Sequence, residues 1–479
     1  MTLSEVDYLV IGAYVVAITA FGSWFARYQK TTRDYFLTDR SVPWWAICFT
    51  IVATETSTLT FIGIPAQSYG TPGNMTFLQL ALGYIIGRVL VSLLFIPAYF
   101  RGELFTSYEL LQRRFGTRVK TLSAVIFLIT RSLADGIRLF TTALVISIVT
   151  QVPVTWVVIV LGAAMIVYTM RGGVSAVIWT DVVQMFVYIA GAGAIAIALL
   201  GRINGGWAEV VRVGSETGRF VFLDPSLTFT KPYTIWAGLL GGVALTLSTH
   251  GTDQYLVQRL LSAKTQKDAS LGLVLSGFIV FAQFILFLLI GVMLYTHYQQ
   301  VPLPQALGRP DQILPIFVVN ELKNGLAGFI VAAIVAAALS PSLNAMAATT
   351  VSDFYLPYFN PTAGQETQMR VSRQATVMWG VVQLLVAIGA QLMTESVLNA
   401  GLAVLSFASG PVLGAFLLGT LASSVRERDT FAGMLAGLVV ITLVWWATPI
   451  AFTWYVLIGA VSTCIAAMLS TTLLSPKAA

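Results

Sequence analysis

Long apolar runs follow one another along almost the whole chain, separated by short polar connections. Their lengths predict helices over 6–27, 43–69, 74–100, 120–150, 153–170, 174–200, 233–258, 268–297, 324–354, 373–393, 397–422, 430–448 and 451–472. Every one is long enough to cross a bilayer as one helix, which takes roughly 17–25 residues. The runs at 43–69, 120–150 and 324–354 are longer and are expected to be tilted, broken or extended past the membrane. Within the second run the pattern fails. Between Pro43-Trp-Trp-Ala-Ile-Cys-Phe and Phe61-Ile-Gly-Ile-Pro65 stands Thr50-Ile-Val-Ala-Thr-Glu55-Thr-Ser-Thr-Leu-Thr60. Lipid supplies no hydrogen bonds, so these hydroxyls and this carboxylate must face protein or a polar cavity. A polar run where a helix is about to break is the arrangement that binds a cation or polar solute at the midplane of a transporter.

Composition agrees. The chain is 57% hydrophobic and 10% charged, where a soluble protein carries roughly a quarter charged residues. A polytopic all-α membrane protein follows. With the N-terminus outside, about two-thirds of the Lys and Arg residues fall in inner loops, as at Arg113, Arg114, Arg118 and Lys120, so the bias sets N-outside and C-inside. That orientation requires an odd number of spans, in accord with thirteen. The basic loops therefore answer to the membrane, and no nucleic-acid partner is expected. The start Met1-Thr-Leu-Ser-Glu-Val-Asp7 is acidic, unlike a signal peptide, so the first apolar run is expected to remain. Cys48 and Cys464 sit in apolar stretches and imply no disulfide framework.

Four acids lie at or near membrane depth: Glu55, Asp135, Asp181 and Asp253. Asp253 reads as a helix-end acid pairing with Arg259 or Lys264, or as a site residue. Asp181 reads as a helix-start acid or as part of a cation path. In the fourth span Arg131, Asp135 and Arg138 share one helical face. Two guanidiniums against one carboxylate leave a positive charge that Glu55, another acid or an anionic solute must balance. In the ninth span Ser340, Ser342 and Asn344 interrupt a run of small residues, and Pro341 frees the Ala337 carbonyl. Gly241-Gly242 marks a weak point in the seventh span. The two histidines, His250 and His297, have no metal-ligand spacing, and no nucleophile arrangement or phosphate-binding loop is present, which argues against an enzyme or an ATP-driven pump.

Five blocks carry a family resemblance. They are Phe61-Ile-Gly-Ile-Pro65, Gly172-Gly…Trp179-Thr-Asp-Val-Val-Gln184, Gly251-Thr-Asp-Gln-Tyr-Leu-Val-Gln-Arg259, Ser342-Leu-Asn344 with Ser352-Asp-Phe-Tyr355, and Gly410-Pro-Val-Leu-Gly-Ala-Phe-Leu-Leu-Gly419. In this order, over nearly the whole chain, they resemble the sodium/solute symporter family, nearest its iodide/vitamin/monocarboxylate and sialic acid branches. The resemblance implies the leucine-transporter fold: one transporter domain with inverted five-helix repeats over 43–200 and 233–422. The first span and the last two, 430–472, would be additions, and spans 2 and 7 would be discontinuous. It implies a sodium site of Ala53, Thr56 and Ile334 carbonyls, with hydroxyl positions that fall here on Ala337 and Ala338. The usual side-chain ligands are thus missing. Glu55 stands where proline symporters carry an aspartate needed for sodium, and Ser340 and Asp181 match a second cation site. Ser57, Thr60 and Gln79 match solute contacts, and Arg131 or Arg138 would hold a carboxylate.

The expectation is a sodium-coupled symporter of a small polar solute, an organic anion such as an acidic sugar or monocarboxylate. It would work as a monomer in a bacterial inner membrane, with sodium as coupling ion and the lipid bilayer as surroundings. The alternatives are a proton-coupled carrier of a neutral sugar through Glu55, and a non-transporting solute sensor. Only a few residues follow the last span, where a sensor's signalling domain would be expected.

Overall fold

Lipid leaves backbone polar groups without partners, and the chain answers with helices throughout. The computed structural model describes residues 3–25, 36–102, 104–304, 307–322, 325–338, 342–392 and 397–474. Among these residues there is no strand, and one isolated bridge pairs Val42 with Ala263. Nine of the described helices are long and apolar enough to cross a membrane, or ten when a bent pair counts as one span. Among the described residues, each apolar run of the sequence falls largely on helix.

The helices that build the core are α1 (Glu5–Trp24), α2 (Trp44–Glu55), α3 (Thr58–Tyr69), α4 (Phe77–Leu94), α5 (Thr117–Thr150) and α6 (Val154–Leu200). After the long loop come α7 (Gly242–Gly251), α8 (Gln254–Leu261), α9 (Gln266–Gln300), α10 (Leu326–Ala338) and α11 (Leu343–Thr349). The chain closes with α12 (Gln365–Gly389), α13 (Val397–Leu421), α14 (Glu427–Ala447) and α15 (Tyr455–Leu474).

The three overlong runs resolve differently. The second run breaks: α2 and α3 meet at 61°, with Thr56 and Ser57 out of helical geometry. The fourth stays one helix of 34 residues. The ninth divides into α10 and α11, with 339–341 between them outside the described residues. α6 is two helices that meet at Gly173, whose φ of 58° lies in the left-handed region that glycine enters without steric cost.

The seventh run differs from expectation. Gly241-Gly242 is not its break. A π-helical segment at Ala237–Gly241 runs straight into α7. The glycines serve close packing: a Cβ on Gly242 would stand 2.8 Å from the Leu80 carbonyl oxygen on α4. The break comes ten residues later, at Thr252 and Asp253, where the Asp253 carboxylate accepts a hydrogen bond from the Tyr255 N–H (2.9 Å) and caps α8.

Loops gather at two ends. At one end the Asp7 carboxylate accepts from the Gly325 and Gly328 N–H groups (2.7 Å each), and the Asn204 N–H donates to Gln300 Oε1 (2.9 Å). At the other, Arg118 N–H donates to Glu427 (2.8 Å), Lys120 pairs with Asp353 (3.1 Å), and Ser107 N–H donates to Gln254 (2.7 Å).

The α4–α7 contact sets a stability expectation. A Cβ on Gly83 would overlap the Gly238 carbonyl, whereas one on Gly193 would meet nothing within 4 Å. Gly83→Ala should destabilise the purified protein by about 1–3 kcal/mol, as overpacked cores do. Gly193→Ala should be neutral or slightly stabilising. Thermal denaturation in detergent compares the two.

Candidate functional site

The break between α2 and α3 opens a cavity. It encloses about 930 Å³ of empty space, the open solvent at its mouth included. Thr54, Glu55, Ser57 and Thr60 line it from the broken span, Arg131 and Arg138 from α5, and Thr246, Thr249 and His250 from α7. Phe77, Tyr84, Phe284, Leu398 and Leu402 supply apolar wall. A broken helix cannot satisfy its own terminal groups. Ser57 N–H turns back to the Glu55 carbonyl (2.9 Å), which also accepts from the Thr60 hydroxyl (2.8 Å). Among the described residues, no hydrogen bond reaches the Ala53 or Thr56 carbonyl. The Thr56 hydroxyl is taken by the Val52 carbonyl (2.7 Å) and by Gln283 (2.9 Å).

Around the cavity, charges are paired in ways the residue pattern left open. Glu55 is not left to an ion. Its carboxylate forms a charge-assisted pair with Arg88 of α4 and lies 3.2 Å from His250 Nε2. The His250 ring is held on its other side by the Thr249 hydroxyl (2.9 Å). Arg88 is wholly buried and packs where Gly277 leaves room. A guanidinium beside a carboxylate competes with any cation for the same lone pairs. In the sequence Arg88 is a lone charge inside the third apolar run, 74–100. That isolated buried charge was itself the signal that a partner acid existed.

The surplus positive charge on the fourth span also resolves. Arg131 pairs with Asp253, the cap of α8, instead of Asp253 pairing with Arg259 or Lys264. Arg131 also lies 3.8 Å from Asp135, and its guanidinium stands 4.7 Å from the Tyr255 ring. Asp135 accepts from the Ser342 hydroxyl and N–H. Arg138 is left with that same carboxylate at 4.0 Å, and among the described residues its side chain makes no hydrogen bond. It faces the cavity.

The remaining expected residues are dispersed. Asp181 accepts from Thr50 (2.6 Å) and pairs with Arg259 (3.0 Å), both buried and away from the cavity lining. Ile334 presents its carbonyl to the Thr58 hydroxyl (3.2 Å). Ser340 and Pro341 lie outside the described residues. Gln79 is not among the cavity's lining. Its amide donates to the Tyr233 carbonyl (3.1 Å) and accepts from the Asp224 N–H (3.1 Å), tying the long loop to α4. In that loop, hydrogen bonds from Ser226 and the Lys231 ammonium at 3.0 Å hold the Asp224 carboxyl at about 2. A depressed carboxylate keeps its contribution above the ordinary carboxylate range, and this clamp is lost only as pH falls through about 2.

A helical membrane protein with a mainly apolar cavity at a broken span, into which hydroxyls and paired charges project, is suited to carry a solute. The chain belongs to the sodium:solute symporter family, whose sequence profile matches residues 35–437. It is an integral multi-pass membrane protein and a sodium-coupled symporter rather than an enzyme. It is 29% identical to the sodium/sialic acid symporter of Aliivibrio fischeri, covering 96% of this chain and 91% of that one. Identity to the sodium-dependent multivitamin transporter of Oryctolagus cuniculus is 32%, over 91% of this chain and 70% of that one. The structure is similar to that of a Na+-coupled sialic acid symporter in a substrate-bound, outward-open state, with a TM-score of 0.91 and 28% identity, covering 99% of each chain.

Breaking a buried ion pair on one side strands the other charge. Arg88→Met should therefore destabilise the protein by about 3–5 kcal/mol, and adding Glu55→Gln should recover a large part of the loss. Denaturation of the two single variants and the double variant closes the cycle.

Proposed function

We propose that the chain imports an organic anion, of the acidic-sugar or monocarboxylate kind, with sodium. One observation carries the anion: Arg138 faces the cavity with a shared carboxylate 4.0 Å away as its nearest charge partner. A guanidinium is a fork suited to a carboxylate, and the solute's own carboxylate would complete its shell. Arg131, occupied by Asp253, holds the wall in place. Ser57 and Thr60, with Thr246 and Thr249 opposite, would take the solute's hydroxyls. That relatives carry sialic acid supports the same class.

The coupling ion would sit between the break and α10, on the Ala53, Thr56 and Ile334 carbonyls. Glu55, held by Arg88, would act on the ion only as a nearby charge. Asp181, held by Arg259, would act at most indirectly, and Ser340 would be an outer contributor. A proton carried by Glu55 is the weaker reading, because that carboxylate is already spent on Arg88 and His250.

The same reading includes thirteen spans, N-outside, in a bacterial inner membrane, with repeats over 43–200 and 233–422 and a monomer as the working unit. The grouping of loops supports the alternation. Asp7 meets Gly325 and Gly328 at one end, as the starts of the first and ninth spans should, and loops assigned inside meet at the other.

Calorimetric binding of sialic acid, a short monocarboxylate and glucose at saturating sodium tests the class. Arg138→Gln should weaken binding of the preferred anion at least tenfold, about 1.4 kcal/mol. Glucose bound more tightly than either anion by the unaltered protein would overturn the proposal.

A further inference from the structure

At the sodium positions this chain has Ala337 and Ala338, and an alanine offers no side-chain oxygen. The carbonyls of Ala53, Thr56 and Ile334 give three ligands, whereas a hard cation takes about six or more oxygens. The structure places another oxygen there. Thr58 is the first residue of α3, immediately past the break. Its hydroxyl is fully buried and lies 3.2 Å from the Ile334 carbonyl oxygen. On its other side the Thr142 hydroxyl of α5 donates to it at 2.7 Å. Thr142 Oγ1 also stands 3.1 Å from the Arg138 carbonyl, one turn back on the same helix.

We propose that the Thr58 hydroxyl is the side-chain ligand of the coupling sodium in this chain, with Thr142 as the positioning residue that frees its lone pair. The inference rests on the sodium reading above and adds the residue that makes it chemically complete. Without the ion, Thr58 donates to Ile334 and receives from Thr142. A cation at the Ile334 carbonyl repels the hydroxyl hydrogen pointing at that carbonyl. The hydrogen has a second acceptor within reach, because hydroxyls are rotors with one donor and two lone pairs. Thr58 then donates to Thr142 Oγ1, and Thr142 donates to the Arg138 carbonyl. No heavy atom needs to move, and no proton leaves its oxygen. The bare lone pair of Thr58 turns to sodium.

This chain of hydroxyls ends on the residue that faces the solute. Ion binding thereby commits the Thr142 hydroxyl to the backbone of Arg138 and stiffens the turn carrying its guanidinium. The bland alternative is that Thr142 simply bonds back along its helix, as threonines commonly do. That alternative explains the Arg138 contact. It does not explain why a second buried hydroxyl from another helix meets both Thr142 and the Ile334 carbonyl.

The test is saturable binding of radioactive sodium to the purified full chain, without solute and with choline balancing ionic strength. Thr58→Val preserves shape and removes the hydroxyl, and it should raise the sodium dissociation constant at least tenfold. Thr58→Ser should stay within about threefold of the unaltered protein. Thr142→Val should weaken binding by a smaller factor, about two to fivefold. Thr58→Val combined with Ala338→Ser should recover part of the loss by restoring an oxygen from the ninth span. The melting temperature in choline should be equal for Thr58→Val and Thr58→Ser, with only the sodium-induced rise separating them. Thr58→Val binding sodium within twofold of the unaltered protein would overturn this inference alone. No saturable binding in the unaltered protein would overturn the sodium reading beneath it. If Thr58→Val does not fold, Thr142→Val and Thr58→Ser decide: unchanged affinity in the first, or a tenfold loss in the second, would count against the assignment.

Discussion

A charge held inside a bilayer must find its partner within the protein, and the arrangement of this molecule follows from that requirement. Glu55 on α2 is matched by Arg88 on α4 and by His250 at the end of α7. Arg131 on α5 is matched by Asp253 at the second break, and Arg259 on α8 by Asp181 on α6. Glu55, His250, Asp253 and Arg259 all lie on segments next to a break. Buried pairs contribute little net stability, because desolvation offsets most of the attraction. Their effect here is to decide which helix stands beside which broken end. Tyr255 sits between two of these systems, 4.7 Å from the Arg131 guanidinium and 4.3 Å from that of Arg259.

The same constraint makes the breaks useful. Helix termini expose carbonyl and N–H groups that lipid cannot serve, so a broken span survives at membrane depth only where protein or a polar cavity serves them. At the first break, among the described residues, no hydrogen bond reaches the Ala53 and Thr56 carbonyls, the proposed seat of the ion. At the second, Gln254 and Asp253 are held by Ser107, the Phe105 carbonyl and Arg131. The two breaks thus share one feature: backbone ends left exposed by a broken helix and met by side chains of other segments. Arg138 is only partly buried and shares its carboxylate neighbour, Asp135, with Arg131.

Much of this was legible in the residues. Hydropathy located the helices, and the polar run at 50–60 located the first break, because both depend on what lipid will tolerate along one segment. The resemblance carried by the five blocks named the family. What could not be read was which distant charge meets which. Arg88 is a lone charge in its run, and the sequence offered Asp253 its neighbours Arg259 and Lys264 or a site role, when its partner lies 122 positions away. Gln79 sits in a plausible place, but its amide closes a loop onto α4. Gly241-Gly242 marked close approach to α4 instead of a break, since small residues serve either purpose. Thr58 and Thr142 matter through a contact between two helices that no spacing along either one reveals.

The central claim is that a sodium gradient drives an organic acid through the cavity at the broken span. Uptake of radiolabelled sialic acid into proteoliposomes, with sodium and proton gradients imposed separately, tests it most directly. The account predicts accumulation with an inward sodium gradient at equal pH on both sides, and none with a pH gradient in sodium-free buffer. Accumulation driven equally by the pH gradient in the absence of sodium would contradict it.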